Sequence, residues 1–257
     1  RSGFVQHCVC GSGHSPLTEN LPMAGSHTQR TLAVSACPIR KSKHEEARSL
    51  NLAMSSASPA YIVGICGPSG SGKTTVVLRL AELLPDSIVI LFDEYDGDTV
   101  HPVSFREWLL QGADYNAWKT PRLAADLAAL KEWKEIQHPL DGRPIPPRKM
   151  IIFDTPLGYA HEETGSLIDY MVFLDTPLDV AMARRLLRDA GCPGFSVQGE
   201  MEAYLDYGRH AYLEMDKQVK PSCDLVVDGS GSIEVLSTQI ANSVCEKLEG
   251  GDHLIQC

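Results

Sequence analysis

Five short apolar runs alternate with longer segments in which apolar residues recur every three or four positions. Residues 61–66, 87–93, 149–154, 170–175 and 223–228 have the length and β-branched content of buried strands. Between them, helical spacing predicts a helix over 76–84, stopped by Pro85. It predicts a second over 121–133, with Leu123, Leu127 and Leu130 on one face. A third opens with Thr176 as its N-cap, Pro177 at the first helical position and Asp179 two residues on, and stops near 191–193. A fourth covers roughly 199–219, and the last begins near 233 with apolar residues at 233, 236, 240, 244 and 248. Residues 99–121 show no period but carry Phe105, Trp108, Tyr115 and Trp118. The four prolines of 139–147 mark a surface loop or short hairpin. Strands that alternate with helices make a doubly wound, five-stranded parallel sheet of the α/β class.

The first strand runs into Gly67-Pro-Ser-Gly-Ser-Gly-Lys-Thr74, which matches G-x-x-x-x-G-K-[ST]. A strand before it and a helix after it are the context this motif needs. Gly67, Gly70 and Gly72 let backbone N–H groups turn toward a phosphate chain, with Ser69, Ser71 and Thr75 in the same wrap. The helix that starts near Lys73 adds the positive end of its dipole. Lys73 is the point charge for the β- and γ-phosphates, and the Thr74 hydroxyl is a ligand for Mg²⁺.

Composition narrows the class. Of the 257 residues, 43% are hydrophobic and 22% charged, ordinary for a globular chain. A net charge of −10 argues against general nucleic-acid binding. No apolar stretch is long enough to cross a membrane. The charge is uneven: six Lys/Arg stand against three Asp/Glu in residues 1–53, and 17 against 30 after that. Residues 1–55 have little periodicity and read as an extension ahead of a domain over 56–250, with a tail at 251–257. The extension is a disordered tail, a transit peptide, or translated sequence upstream of Met54. Its His7-Cys8-Val9-Cys10 lacks the usual spacing of a zinc site. The cysteines form no C-x-x-C, and Cys66, Cys223 and Cys245 sit in apolar contexts as core thiols, which points to a reducing compartment such as the cytoplasm.

Parallel sheets bind ligands beyond the carboxyl ends of their strands. There the second and third strands end in Asp93 and Asp154. Asp93 is placed to take the proton of an attacking hydroxyl, and Asp154 to hold Mg²⁺ with Thr74. Arg184, Arg185 and Arg188 share one side of a helix, and arginines near a γ-phosphate stabilise its charge in the transition state.

From Tyr61 to about Asp228 the chain resembles the uridine kinase and phosphoribulokinase group of P-loop kinases. The loop, Asp93 with Tyr95, and Phe173-Leu-Asp-Thr-Pro177 followed by Arg184-Arg-Leu-Leu-Arg-Asp189 carry the likeness, as does the stretch from Tyr204 to Val227. The resemblance implies a P-loop NTPase fold of the nucleoside-kinase type with a helical, arginine-bearing lid. It implies ATP and Mg²⁺, a small-molecule acceptor, Asp93 as base, and Arg184 and Arg188 at the phosphates. It also implies acceptor contacts from Tyr95, Asp96, Tyr115 and Trp118, and leaves a homo-oligomer open. Two stretches depart from the group. Asp154-Thr-Pro-Leu-Gly158 replaces a Glu-Gly, and Tyr115-Asn-Ala-Trp-Lys-Thr-Pro121 replaces Asn-Phe-Asp-His-Pro. The competing readings are an ATPase, from the apolar run before Asp93-Glu94, and a nucleotide-binding regulator without catalysis.

Overall fold

The structure is a computed structural model that describes residues 58–249, so the readings made for residues 1–55 and 251–257 lie outside the described residues. In chain order its strands are β1 (Tyr61–Cys66), β2 (Ser87–Leu91), β3 (Ile136–Gln137), β4 (Pro144–Ile145), β5 (Met150–Asp154), β6 (Tyr170–Asp175) and β7 (Leu225–Asp228). The helices are α1 (Lys73–Leu83), α2 (Phe105–Leu110), α3 (Pro121–Lys131), α4 (Glu162–Gly165), α5 (Leu178–Asp189), α6 (Val197–Ala203), α7 (Arg209–Gln218) and α8 (Ile233–Glu249). Five strands pair in parallel in the order β2-β5-β1-β6-β7, and β3 with β4 forms a small antiparallel hairpin.

Helices cover both faces of the sheet, which explains why its strands are apolar throughout instead of alternating. On one face α1 and α8 pack Val77, Leu80, Ile240 and Val244 against Val63 and Ile152. On the other, Leu123, Leu127 and Leu130 of α3 join Met215 of α7 and a cluster of aromatics. β1 lies at the centre with all six residues buried. Asp169, just before β6, accepts from Ile62 N at 2.8 Å and pairs with Lys131 at 2.7 Å, fixing α3 against β1.

Several local expectations are corrected. β2 ends at Leu91, and residues 92–98 form a 3-10 turn, so Asp93 stands on a turn and not at a strand end. Residues 99–121 are ordered into α2 and a 3-10 turn at Tyr115–Ala117. Ser104 caps α2 through Glu107 N, and four aromatics supply the packing that a missing helical period concealed: Trp108 meets Trp118 edge-on at 4.9 Å, and Tyr115 stacks on Trp118 at 6.2 Å. The helix expected over 199–219 is interrupted by a π turn at Tyr204–Gly208. Thr176 does not cap α5, because Pro177 takes that position. Cys66 is wholly buried and Cys223 partly so, both free, whereas Cys245 is disulfide-bonded.

His161 is fully buried. Its Nδ1 lies 2.8 Å from Thr164 Oγ1 and its Nε2 lies 3.3 Å from the Trp118 carbonyl. Burial pushes its pKa below the ordinary 6.5, with Glu163 and Glu162 opposing the shift and Lys119 adding to it. A neutral imidazole is therefore favoured in the fold. Its contribution is complete above the unfolded value and is lost as pH falls through about 6.5 toward the folded one. The urea midpoint should drop between pH 7.5 and 5.5, and the drop should shrink in His161→Gln; equal pH profiles for the two proteins would contradict this.

Candidate active site

The phosphate loop is shaped by three glycines with positive φ: Gly67 at 147°, Gly70 at 85° and Gly72 at 102°. Two of them also leave no space for a side chain. A Cβ on Gly67 would lie 2.8 Å from the Leu174 carbonyl, and one on Gly70 would lie 2.1 Å from the Ala181 carbonyl of α5. α5 thus rests directly on the loop. Thr176 reinforces the junction by donating its hydroxyl to the Ser71 carbonyl at 3.2 Å. Lys73 Nζ folds back to the Pro68 carbonyl at 3.3 Å, inside the curve of the loop.

Asp154, at the end of β5, is buried, and its Oδ2 accepts from the Thr74 hydroxyl at 2.8 Å. A hydroxyl beside a carboxylate is a hard-oxygen donor set that fits Mg²⁺. Among the described residues no group of three or more His, Cys, Asp or Glu could hold a metal ion. Cys66, one residue before the loop, has its thiol pKa pushed well up by burial and by Cys223, whose sulfur is 3.6 Å away; the Lys73 charge pulls in the opposite direction.

Asp93, on the turn after β2, is close enough to Arg188 for its charge to help raise the guanidinium's pKa, after the larger effect of hydrogen bonds to Asp189. The fold therefore gathers Lys73, Thr74 and Asp154 on one side and Asp93 with Arg188 on another. Arg184 goes elsewhere: its Nη1 donates to the Gly229 carbonyl at 3.0 Å, tying α5 to the loop after β7. Beside that contact is a cavity of about 390 Å³ lined by Asp175, Pro177, Val226, Val227 and Asp228.

The expected acceptor residues are divided. Asp96 bonds His101 at 2.8 Å at the half-exposed end of the Phe92–Asp98 turn. Tyr95, Tyr115 and Trp118 instead have their rings in the core. The Tyr95 hydroxyl donates to Asp126 at 3.0 Å, and burial raises the pKa of both groups. Aromatic spacing alone did not separate a pocket wall from a core cluster.

Sequence reasoning missed Thr176 as a loop contact, because a Thr before Pro carries the ordinary signature of a cap. It also did not single out Arg185 among its neighbours. Arg185 has its Cβ 3.2 Å from where a Gly70 side chain would begin, and its guanidinium and Ser69 both counter the effect of burial on the Tyr212 hydroxyl.

Residues 113–235 match the family described as the Phosphoribulokinase / Uridine kinase family. The chain is 32% identical to a uridine kinase of Brevibacillus brevis over 203 residues, 72% of this chain and 94% of that one. It is 32% identical to a uridine kinase of Borrelia turicatae over 184 residues, 66% of this chain and 87% of that one. With a uridine kinase of Borreliella burgdorferi it shares 30% over 208 residues, 74% and 98% of the two chains.

The close approach of Gly70 to α5 gives a contrast to measure. Gly72 has a positive φ but nothing within 4 Å of a would-be Cβ, whereas Gly70 meets backbone. Gly72→Ala should cost about 1 kcal/mol for the left-handed backbone, and Gly70→Ala a further 1–3 kcal/mol with displacement of α5. Chemical denaturation of both proteins tests the ranking; equal losses would mean that α5 does not constrain the loop.

Proposed function

The chain belongs to the phosphoribulokinase/uridine kinase family, and on that premise we propose that it transfers the γ-phosphoryl group of ATP to a hydroxyl of a small, nucleoside-like acceptor. The observation that carries this reading is the glycine-shaped loop whose Thr74 hydroxyl bonds the buried Asp154 at 2.8 Å.

In this reading the N–H groups of residues 67–75 wrap the phosphates of ATP and Lys73 bridges the β- and γ-phosphates. Thr74 and Asp154 hold Mg²⁺, which supplies neutralisation of phosphate charge when bound. Asp93 accepts the proton of the acceptor hydroxyl as its oxygen attacks. Arg188 offsets negative charge on the transferring group and orients Asp93. Arg184 and the Gly229 loop border the cavity lined by Asp175 and Asp228, where this reading puts the base of ATP. Asp96 and His101 lie on the acceptor side, and the buried Tyr95, Tyr115 and Trp118 form the packed wall behind it.

The acid-rich surface leaves nucleic acid an unfavourable partner. No described helix is long and apolar enough to cross a membrane. We place the protein in the cytoplasm on the free, neighbouring thiols of Cys66 and Cys223, against which stands the disulfide at Cys245. Residues 56–250 form the working kinase domain in this proposal.

Two substitutions separate the roles. Lys73→Ala should abolish ADP release while leaving the melting temperature near that of the parent. Asp93→Asn should lower turnover by roughly 10²–10⁴, the usual worth of a general base, with ATP affinity little changed. A coupled ADP-release assay over nucleosides, vitamins and sugars identifies the acceptor and provides the rates; calorimetry provides the affinities. Turnover of Asp93→Asn within twofold of the parent would remove Asp93 from the mechanism.

A further inference from the structure

The guanidinium that the fold brings to the phosphate loop already has an anion. Arg185 Nη2 bonds Glu200 Oε2 at 2.5 Å, with the two side chains 11% and 23% exposed. Its Nε also faces Asp189 at 3.9 Å on the same helix, and its head lies beside Tyr212, which reaches Ser69 of the loop. Asp189 is further engaged by Arg188, through bonds of 2.7 and 2.9 Å. Glu200 belongs to α6, the helix that follows α5. α6 buries none of its residues, and Ser196 caps it through Gly199 N at 3.1 Å. At its other end it runs on into the π turn at Tyr204–Gly208, and Glu200 ties it to α5 through Arg185.

A polyphosphate in the loop offers the same acceptor chemistry as Glu200 and more charge, since guanidinium pairs with carboxylate and phosphate in the same forked geometry. We propose that Glu200 is a positioning residue that holds Arg185 beside the loop and yields it to the phosphates of the nucleotide, so that nucleotide binding and release of α6 are one event. This deepens the kinase reading and rests on it. Glu200 keeps the guanidinium beside Tyr212, which reaches Ser69 of the loop, and sets the affinity for triphosphate below what Arg185 alone would give. Asp189, fixed to Arg185 by their shared helix, stays through the exchange.

The test measures binding of three probes by calorimetry: a non-hydrolysable ATP analogue, tripolyphosphate and adenosine. The proteins are the parent, Glu200→Gln, and the double variant Arg185→Gln/Glu200→Gln. Glu200→Gln should tighten the ATP analogue and tripolyphosphate by about 5- to 10-fold, the scale of one ion pair no longer competing. Adenosine should bind unchanged, and the double variant should lose the gain. Affinity for tripolyphosphate within twofold of the parent, or weaker, overturns the proposal. A lower melting temperature together with weaker binding makes Glu200 a brace for the fold and overturns it too. ADP release by the parent with an acceptor tests the kinase reading separately: a parent that transfers phosphate while Glu200→Gln shows no gain refutes the exchange alone. A parent that binds neither polyphosphate refutes both.

Discussion

The backbone of the phosphate loop and the backbone of α5 touch, and the site is built around that contact. A carbonyl at Ala181 stands where any side chain at residue 70 would have to begin. Main chain against main chain leaves almost no slack, since neither side has rotamers to give. The helix that carries the arginines is thereby set against the loop that receives phosphate. Thr176 and Arg184 fix the same helix at two further points, the Ser71 carbonyl and the Gly229 carbonyl.

Charge placement follows from this seat. With α5 pinned at Ala181, Arg185 sets its Cβ against Gly70 and its guanidinium on Glu200, Arg188 bonds Asp189 within reach of the Asp93 charge, and Arg184 bonds the Gly229 carbonyl. Three cations from one helix serve three places, because residues 184, 185 and 188 differ in azimuth by the helical turn. The carboxylates come from the sheet, Asp154 at the end of β5 and Asp93 on the turn after the neighbouring β2. The sheet order makes them neighbours: β5 lies between β1, which feeds the loop, and β2, which feeds the Asp93 turn.

Much of this was legible in the sequence. Strong apolar runs located all five sheet strands, and the loop motif fell where β1 turns into α1 through three glycines of positive φ. What escaped had physical causes. The Phe92–Asp98 turn looked like strand because Phe92 continues the apolar run, yet its backbone bonds curl within the segment. The α2 region hid its order in aromatic contacts with partners elsewhere in the chain, which no local period records. Arg184 and Arg185 are adjacent and chemically identical in sequence, so only the seat of the helix distinguishes them. Tyr115 and Trp118 were assigned to the acceptor by likeness to a motif, whereas their rings complete the core.

The turn that carries Asp93 is outside the hydrogen-bonded ladder, and this separates two kinds of inheritance. The loop and α5 are locked by backbone contacts, and Thr74 by the buried Asp154 carboxylate. The turn is fastened through side chains instead: Tyr95 to Asp126, Arg122 to Asp98, and Glu94 facing His138 of the β3–β4 hairpin. Such fastenings can be exchanged one at a time without tearing a strand. A lineage built on this plan is free to retune which alcohol it accepts while the machinery that handles the triphosphate stays constant.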